Sequence, residues 1–192
     1  MNSRRQHRTT TKLRPRHRTA RFALVLLVTG LLASAWSHAA AAQQPLQKLL
    51  VLDFELIDQQ AELVPFPEKE ARLAMASQRL REALVKQELY DVIDIAPVAQ
   101  LIRTEAARQS LLECNGCELD IAREAGADRI LLAWVQKISN LILNINVKIL
   151  DAKTGQVVMT NSVDLRGNTD QSWQRGIDFM VRDMVERKQV NR

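Results

Sequence analysis

Residues 128–165 read DRILLAWVQKISNLILNINVKILDAKTGQVVMTNSVDL, and this stretch decides the fold. Its centre alternates cleanly: Leu141, Leu143, Ile145, Val147 and Ile149 point one way, while Asn144, Asn146 and Lys148 point the other. Period-two alternation is the signature of a strand buried on one face. Before it, residues 128–138 form another strand. After it, Asp151-Ala152-Lys153-Thr154-Gly155 makes a short hairpin loop with glycine placed for a left-handed residue. Residues 156–165 then return as a further strand. Three consecutive strands joined by short loops predict antiparallel pairing.

Working toward the N-terminus, the pattern changes to helices and parallel strands. Residues 118–124 are a short helix ended by Gly126, and residues 110–116 are a link leading into it. Pro97 opens a helix reaching about Arg108, with Val98, Leu101, Ile102 and Ala106 inward. Residues 90–95 (YDVIDI) are a short strand. Residues 68–88 are helical, with Leu73, Ser77, Leu80 and Leu84 on one face and Glu68 and Glu70 at the positive end of the dipole. Residues 55–67 are expected as a loop, ended by Pro65-Phe66-Pro67. Residues 48–54 (KLLVLDF) are a continuous apolar run, as a strand buried on both faces requires. On the C-terminal side, Asn168 or Thr169 caps a last helix facing inward through Trp173, Ile177, Met180 or Val181, and Met184. The order β-α-β-α-α-β-β-β-α predicts an α/β domain. It has a mixed five-stranded sheet whose first two strands pair in parallel across a crossover, and a C-terminal helix.

The chain begins with an address. Eight basic residues and no acidic one occupy residues 1–21, residues 22–36 (FALVLLVTGLLASAW) carry no charge, and Ser37-His38-Ala39 leads into alanines ending at Ala42. A basic region, an apolar core and a small-residue exit make a secretory signal, so residues 1–42 are expected to be removed and 43–192 to form one mature domain in the periplasm. Ala42 is the expected cut and Ala39 the second. An uncleaved anchor over residues 22–42 is the alternative, with its N-terminus held inside by the same basic residues. Ser3-Arg4-Arg5 resembles the start of a twin-arginine signal, but Gln6, His7 and Arg8 follow where apolar residues belong. No cysteine stands near the cut for lipidation.

Removing the leader changes what composition allows. Of 27 basic residues, 19 remain against 22 acidic ones, so the mature part is slightly acidic and nucleic acid is not an expected partner. All three histidines, His7, His17 and His38, leave with the leader. Ser-His-Asp and Cys-His nucleophiles, His-ligated zinc and His-ligated haem are thereby excluded from the mature domain.

Three residue groups remain as candidates. Cys114 and Cys117 of Cys114-Asn115-Gly116-Cys117 are expected as a structural disulfide in an oxidising compartment, with a redox-active dithiol and a metal pair as alternatives. Haem attachment would need histidine where Glu118 stands. Zinc would need two further ligands, from carboxylates or a second subunit. Asp53 and Glu55 end the first strand, where open α/β sheets place ligands, but no phosphate-binding loop accompanies them. The third group is the polar side of the hairpin, Asn140, Asn144, Asn146 and Lys148, opposite Thr160 or Asn161. Several asparagines on a strand ask for a reason, either a solvated face or a protein partner, with Trp134 or Trp173 as anchor. Arg166-Gly167-Asn168-Thr169 adds an anion contact at the helix N-terminus or simple capping.

LLVLDF, YDVIDI, GADRILLAWV and the turn DAKTG resemble the amino-terminal domain of TolB and the periplasmic domains of CsgG and LpoB. CNGCELDIA, WVQKISNLILNIN and VDLRGNTDQSW resemble a family of secreted bacterial proteins of unknown function. The first resemblance implies envelope proteins that dock onto partners without catalysis or cofactor; function carried across a fold is analogy. The expected role is therefore a non-catalytic periplasmic adaptor for an envelope or secreted protein. It would use Asn140, Asn144, Asn146, Lys148, Arg166 and Asn168, with no cofactor and no membrane contact after cleavage. A thiol-disulfide or metal-handling protein working through Cys114 and Cys117 is the alternative. A carboxylate- and metal-dependent hydrolase at Asp53 and Glu55 is the third.

Sequencing the N-terminus of the chain recovered from the envelope fraction should return Gln43, or Ala40 from the secondary cut. A soluble cytosolic chain that keeps Met1 and two free thiols would overturn the export reading.

Overall fold

The computed structural model describes residues 45–61 and 66–190, so the leader, its cleavage region and Pro65 lie outside the described residues. Pro45–Arg192 is one compact unit. Its elements are β1 (Lys48–Val51), β2 (Glu55–Asp58), α1 (Lys69–Lys86), β3 (Asp91–Val92), a 3-10 turn (Ala96–Val98), α2 (Ala99–Ala106), α3 (Cys117–Glu124), β4 (Arg129–Lys137), β5 (Ile142–Asp151), β6 (Val157–Arg166) and α4 (Asp170–Val190). The sheet order is β3-β1-β4-β5-β6, with β2 also on β4. As the crossover requires, β1 and β3 are parallel, and β4, β5 and β6 are antiparallel neighbours.

Residues 55–58 correct the expected loop: they form a strand parallel to β4. The cause is the length of β4. Its first residues pair with β1, from Leu49 opposite Arg129 to Val51 opposite Leu131, and its later residues pair with β2, from Glu55 opposite Trp134 to Asp58 opposite Lys137. Between the two, the chain leaves the ladder for one extra residue. The Phe54 amide donates to Ser77 Oγ of α1 at 2.9 Å, a helix hydroxyl in place of a sheet carbonyl. The expected strand over 90–95 is correspondingly short, Asp91–Val92, before the chain turns into the Ala96–Val98 3-10 segment. Ala106 is exposed where it was expected inward, because α2 ends there.

Two cores lie on opposite faces of the sheet. On one face α1 and α4 cover its width, packing Leu80, Leu84, Trp173, Ile177 and Met180 against Leu49, Val51, Val135, Ile145 and Val147. On the other face α2, α3 and the segment between them pack Val98, Leu111, Cys114 and Ile121 against Leu50, Ile130, Leu132 and Leu150. This second cover stops at Leu132.

Charged links tie α1 to α4. Arg79 grips Asp178 with two bonds, at 2.9 and 2.6 Å, and Arg72 Nε donates to Asp170 at 2.6 Å. Such fork-to-carboxylate pairing fixes orientation as well as distance. Thr169 and Ser172 cap α4 reciprocally, the Ser172 amide donating to Thr169 Oγ1 and the Thr169 amide to Ser172 Oγ. Below them, Lys137 is fully buried at the end of β4, in phase with Val135 and Ala133. Its ammonium donates to both oxygens of Asp58, at 3.0 and 2.9 Å, and lies 5.9 Å from the Phe66 ring centre. Arg72 stacks on the same ring at 5.1 Å.

Removing one partner of a buried pair leaves a charge stranded, which costs about 3–5 kcal/mol, whereas replacing both by apolar groups is often neutral. Asp58→Asn should therefore lower the unfolding midpoint sharply, and Asp58→Leu with Lys137→Met together should recover most of the loss. Denaturant titration decides it; a double variant no more stable than the single one would show that the pair itself holds this corner.

Candidate docking face

Beyond Leu132 the second face of the sheet carries no helix among the described residues. Each strand contributes side chains to it in rows set by the pairing. Glu55 lies beside Trp134, Trp134 beside Asn146 and Asn146 beside Ser162; in the next row Ile57, Gln136, Asn144 and Asp164 stand in line. Lys148 faces Thr160, and Ile142 faces Arg166.

The asparagines therefore stand on this face, as expected. Asn144 Nδ2 donates across the strands to the Asp164 carboxylate, and Asn146 Nδ2 donates to the Asn144 carbonyl at 3.3 Å. Asn140 is exposed in the β4–β5 turn and Arg166 is exposed at the end of β6. Around this polar strip lies an apolar border. Leu141, expected inward with Leu143, lies instead in the β4–β5 turn before β5 begins and is 75 % exposed; Ile142 is 54 % exposed, and Ile57 and Ile138 join it at the hairpin end of the face. Clustered exposure of this kind marks an interaction surface more often than scattered apolar residues do. At the boundary with the covered half, a cavity of about 370 Å³ is lined by Ile57, Leu112, Trp134, Glu55, Glu113 and Lys148.

Asn168 and Asn161 have partners away from this face. Asn168 Oδ1 accepts from Arg72 Nη1 at 2.9 Å and from the Trp173 indole at 3.0 Å, so Asn168 ties α1 to α4. Asn161 pairs with Val147 on the helix-covered face and donates to Asp183 at 2.8 Å; Thr160 is the residue opposite Lys148. Trp173 is wholly buried, as its inward place on the last helix requires, and Trp134 is the indole on the open face among the described residues. The cluster of Arg72 and Lys137 against the Phe66 ring was not among the expected groups. Its available signal was a lysine at an inward-phase position of a strand.

Asp53 and Glu55 are held by different partners. Asp53 accepts from Arg81 Nη2 at 2.7 Å, while Glu55 accepts from the Ser110 hydroxyl at 2.5 Å and the Leu111 amide at 2.9 Å. Glu55 thus pins the segment before Cys114 to the edge of the open face. Cys114 and Cys117 are joined as a disulfide with Cα atoms 5.6 Å apart; Cys114 is buried in the second core and Cys117 begins α3.

A further groove of about 390 Å³ runs between α1 and α4, where the bond to Asp178 holds the Arg79 guanidinium above its already high ordinary value. Burial pushes the Tyr90 phenol above its ordinary value, against a smaller opposing pull from Arg129. Neither group is poised to exchange a proton near neutrality. No helix among the described residues is long and apolar enough to cross a membrane.

Residues 47–185 match the family described as Protein of unknown function (DUF2380). No curated protein matches the chain. Among solved structures, the chain is similar to the LpoB C-terminal domain from Salmonella enterica, at 17 % identity over 73 % of this chain and 93 % of that one, with a TM-score of 0.48. It is also similar to lipoprotein GNA1162 from Neisseria meningitidis, at 16 % identity over 76 % and 97 %, with a TM-score of 0.46. The PelC dodecamer from Paraburkholderia phytofirmans gives 15 % identity over 70 % and 84 %, with a TM-score of 0.45.

If the face is open, Trp134 accounts for the solvent-accessible indole emission of the domain and Trp173 for the shielded part. Trp134→Phe should remove most of the acrylamide-quenchable fluorescence of the processed chain. Undiminished quenching in that variant would mean that Trp134 is covered.

Proposed function

We propose that this chain, which belongs to the family described as Protein of unknown function (DUF2380), is an exported docking protein without a catalytic role. It binds another envelope or secreted protein through the bare half of its sheet. The observation that carries the reading is the exposed apolar end of that face, Ile57, Ile138 and Ile142 with Leu141 in the adjoining turn, next to a Trp134-lined cavity. A partner of the adaptor supplies apolar side chains to this end and hydrogen-bonding groups to Asn144, Asn146 and Lys148. This pattern of a desolvated core with a polar rim is that of protein interfaces.

The basic and apolar leader supports export, and the disulfide suits the oxidising compartment that export reaches. With its three histidines confined to residues 7–38, the processed chain keeps no imidazole, the side chain whose ordinary titration lies near neutrality. Shape, and not chemistry on a substrate, is what this face offers.

A photo-reactive amino acid placed at Asn144 in living cells should capture one discrete partner, and the same group at Gln78 on the exposed side of α1 should not. Leu141→Glu should cut the captured yield several-fold without moving the thermal midpoint. The same product from both positions, or none from Asn144 above background, would sink the reading.

A further inference from the structure

The start of α3 holds a second site, independent of the docking reading. Among the described residues, one group of three metal-ligating side chains lies within reach of a single ion: Cys114 Sγ, Cys117 Sγ and a Glu118 carboxylate oxygen, all within 4.8 Å of one another. Glu118 is held there locally, because its Oε2 accepts the Gly116 amide at 2.9 Å. The same oxygen stands 3.0 Å from Cys114 Sγ. In the disulfide that sulfur has no proton to donate, so this contact becomes a hydrogen bond only when the cysteine is reduced to a thiol.

We propose that reduction turns this corner into a zinc site with Cys114, Cys117 and Glu118 as ligands. The donor set selects the metal: thiolates favour zinc over the hard cations calcium and magnesium, and zinc accepts a carboxylate as third ligand. Zinc–sulfur bonds near 2.3 Å place two tetrahedral thiolates roughly 3.8 Å apart. Cα atoms 5.6 Å apart meet that spacing by side-chain rotation. The turn that sets this geometry uses positive φ at both inner residues, 49° at Asn115 and 118° at Gly116. A cavity of about 540 Å³ opens beside the cysteines, between Leu101, Glu105, Asp120 and Arg123, and leaves the fourth position to water or an exchangeable ligand.

The chemistry balances with a dithiol reductant, such as a vicinal thiol pair on another protein. The S–S bond takes two electrons and two protons and becomes two thiols, while the reductant becomes a disulfide. Zinc then displaces the two thiol protons into solvent. The oxidised chain has no thiolate to offer and is the built-in reference state.

The test uses the full chain as the cell processes it, oxidised in one arm and reduced anaerobically and desalted in the other. Each is titrated with zinc against a chromophoric chelator, and with cobalt to look for thiolate-to-metal charge transfer. The reduced chain should take up one zinc with the cobalt band present, and the oxidised chain none. Glu118→Gln should weaken the reduced site by at least about tenfold, the scale that even an outer-shell partner carries, with an unchanged circular dichroism spectrum. Equal uptake by the oxidised and reduced chains, no uptake by either, or wild-type affinity in Glu118→Gln would each overturn the assignment.

Discussion

Strand β4 is under two different burial demands along its length, and the rest of the molecule follows from how it meets them. Ile130, Leu131, Leu132 and Ala133 are all buried in succession, so this half is covered on both faces. From Trp134 onward burial alternates, with Val135 and Lys137 inside and Trp134 and Gln136 half-exposed. An unbroken apolar run needs two covering layers, and an alternating one needs a single layer. The first half accordingly sits beneath α2 and α3, and the second half is left bare. The candidate docking face is thus the part of the sheet where the second layer ends.

Much of this was legible because burial writes a period into sequence. The run KLLVLDF and the alternation LILNINVKIL state which strands have two covered faces and which have one. The inward stripe of α4, Trp173, Ile177, Met180 and Met184, is legible for the same reason. Glu55–Asp58 was not, since ELID has no period and becomes a strand only because β4 extends past β1 and needs a neighbour. Asn168 was read as a surface or capping residue because nothing local shows that Arg72, 96 residues away, comes to meet it. Composition identifies which residues are polar, but tertiary pairing decides which of them remain available to a partner.

The segment from Ser110 to Cys117 connects the edge of the open face to the disulfide. Its beginning is fastened to Glu55, and Leu112 and Glu113 line the cavity beside Trp134. Its end carries the cysteines and the turn at Asn115 and Gly116. A short disulfide loop restrains little of the unfolded chain, so its value lies in fixing local shape more than in global stability. Here the shape it fixes is the end of a segment that also borders the open face.

The pairing of β1 with β4 has a consequence for timing. Leu49 must wait for Arg129, 80 residues later, before its ladder can close, and distant closure slows folding because chain entropy is spent before contacts repay it. Released from its N-terminus first, whether from a ribosome or through a membrane pore, the polypeptide has made its most apolar strand long before the central partner emerges. The pairing of β1 with its central partner then waits until Arg129 has appeared, and Cys114 and Cys117 emerge before that point.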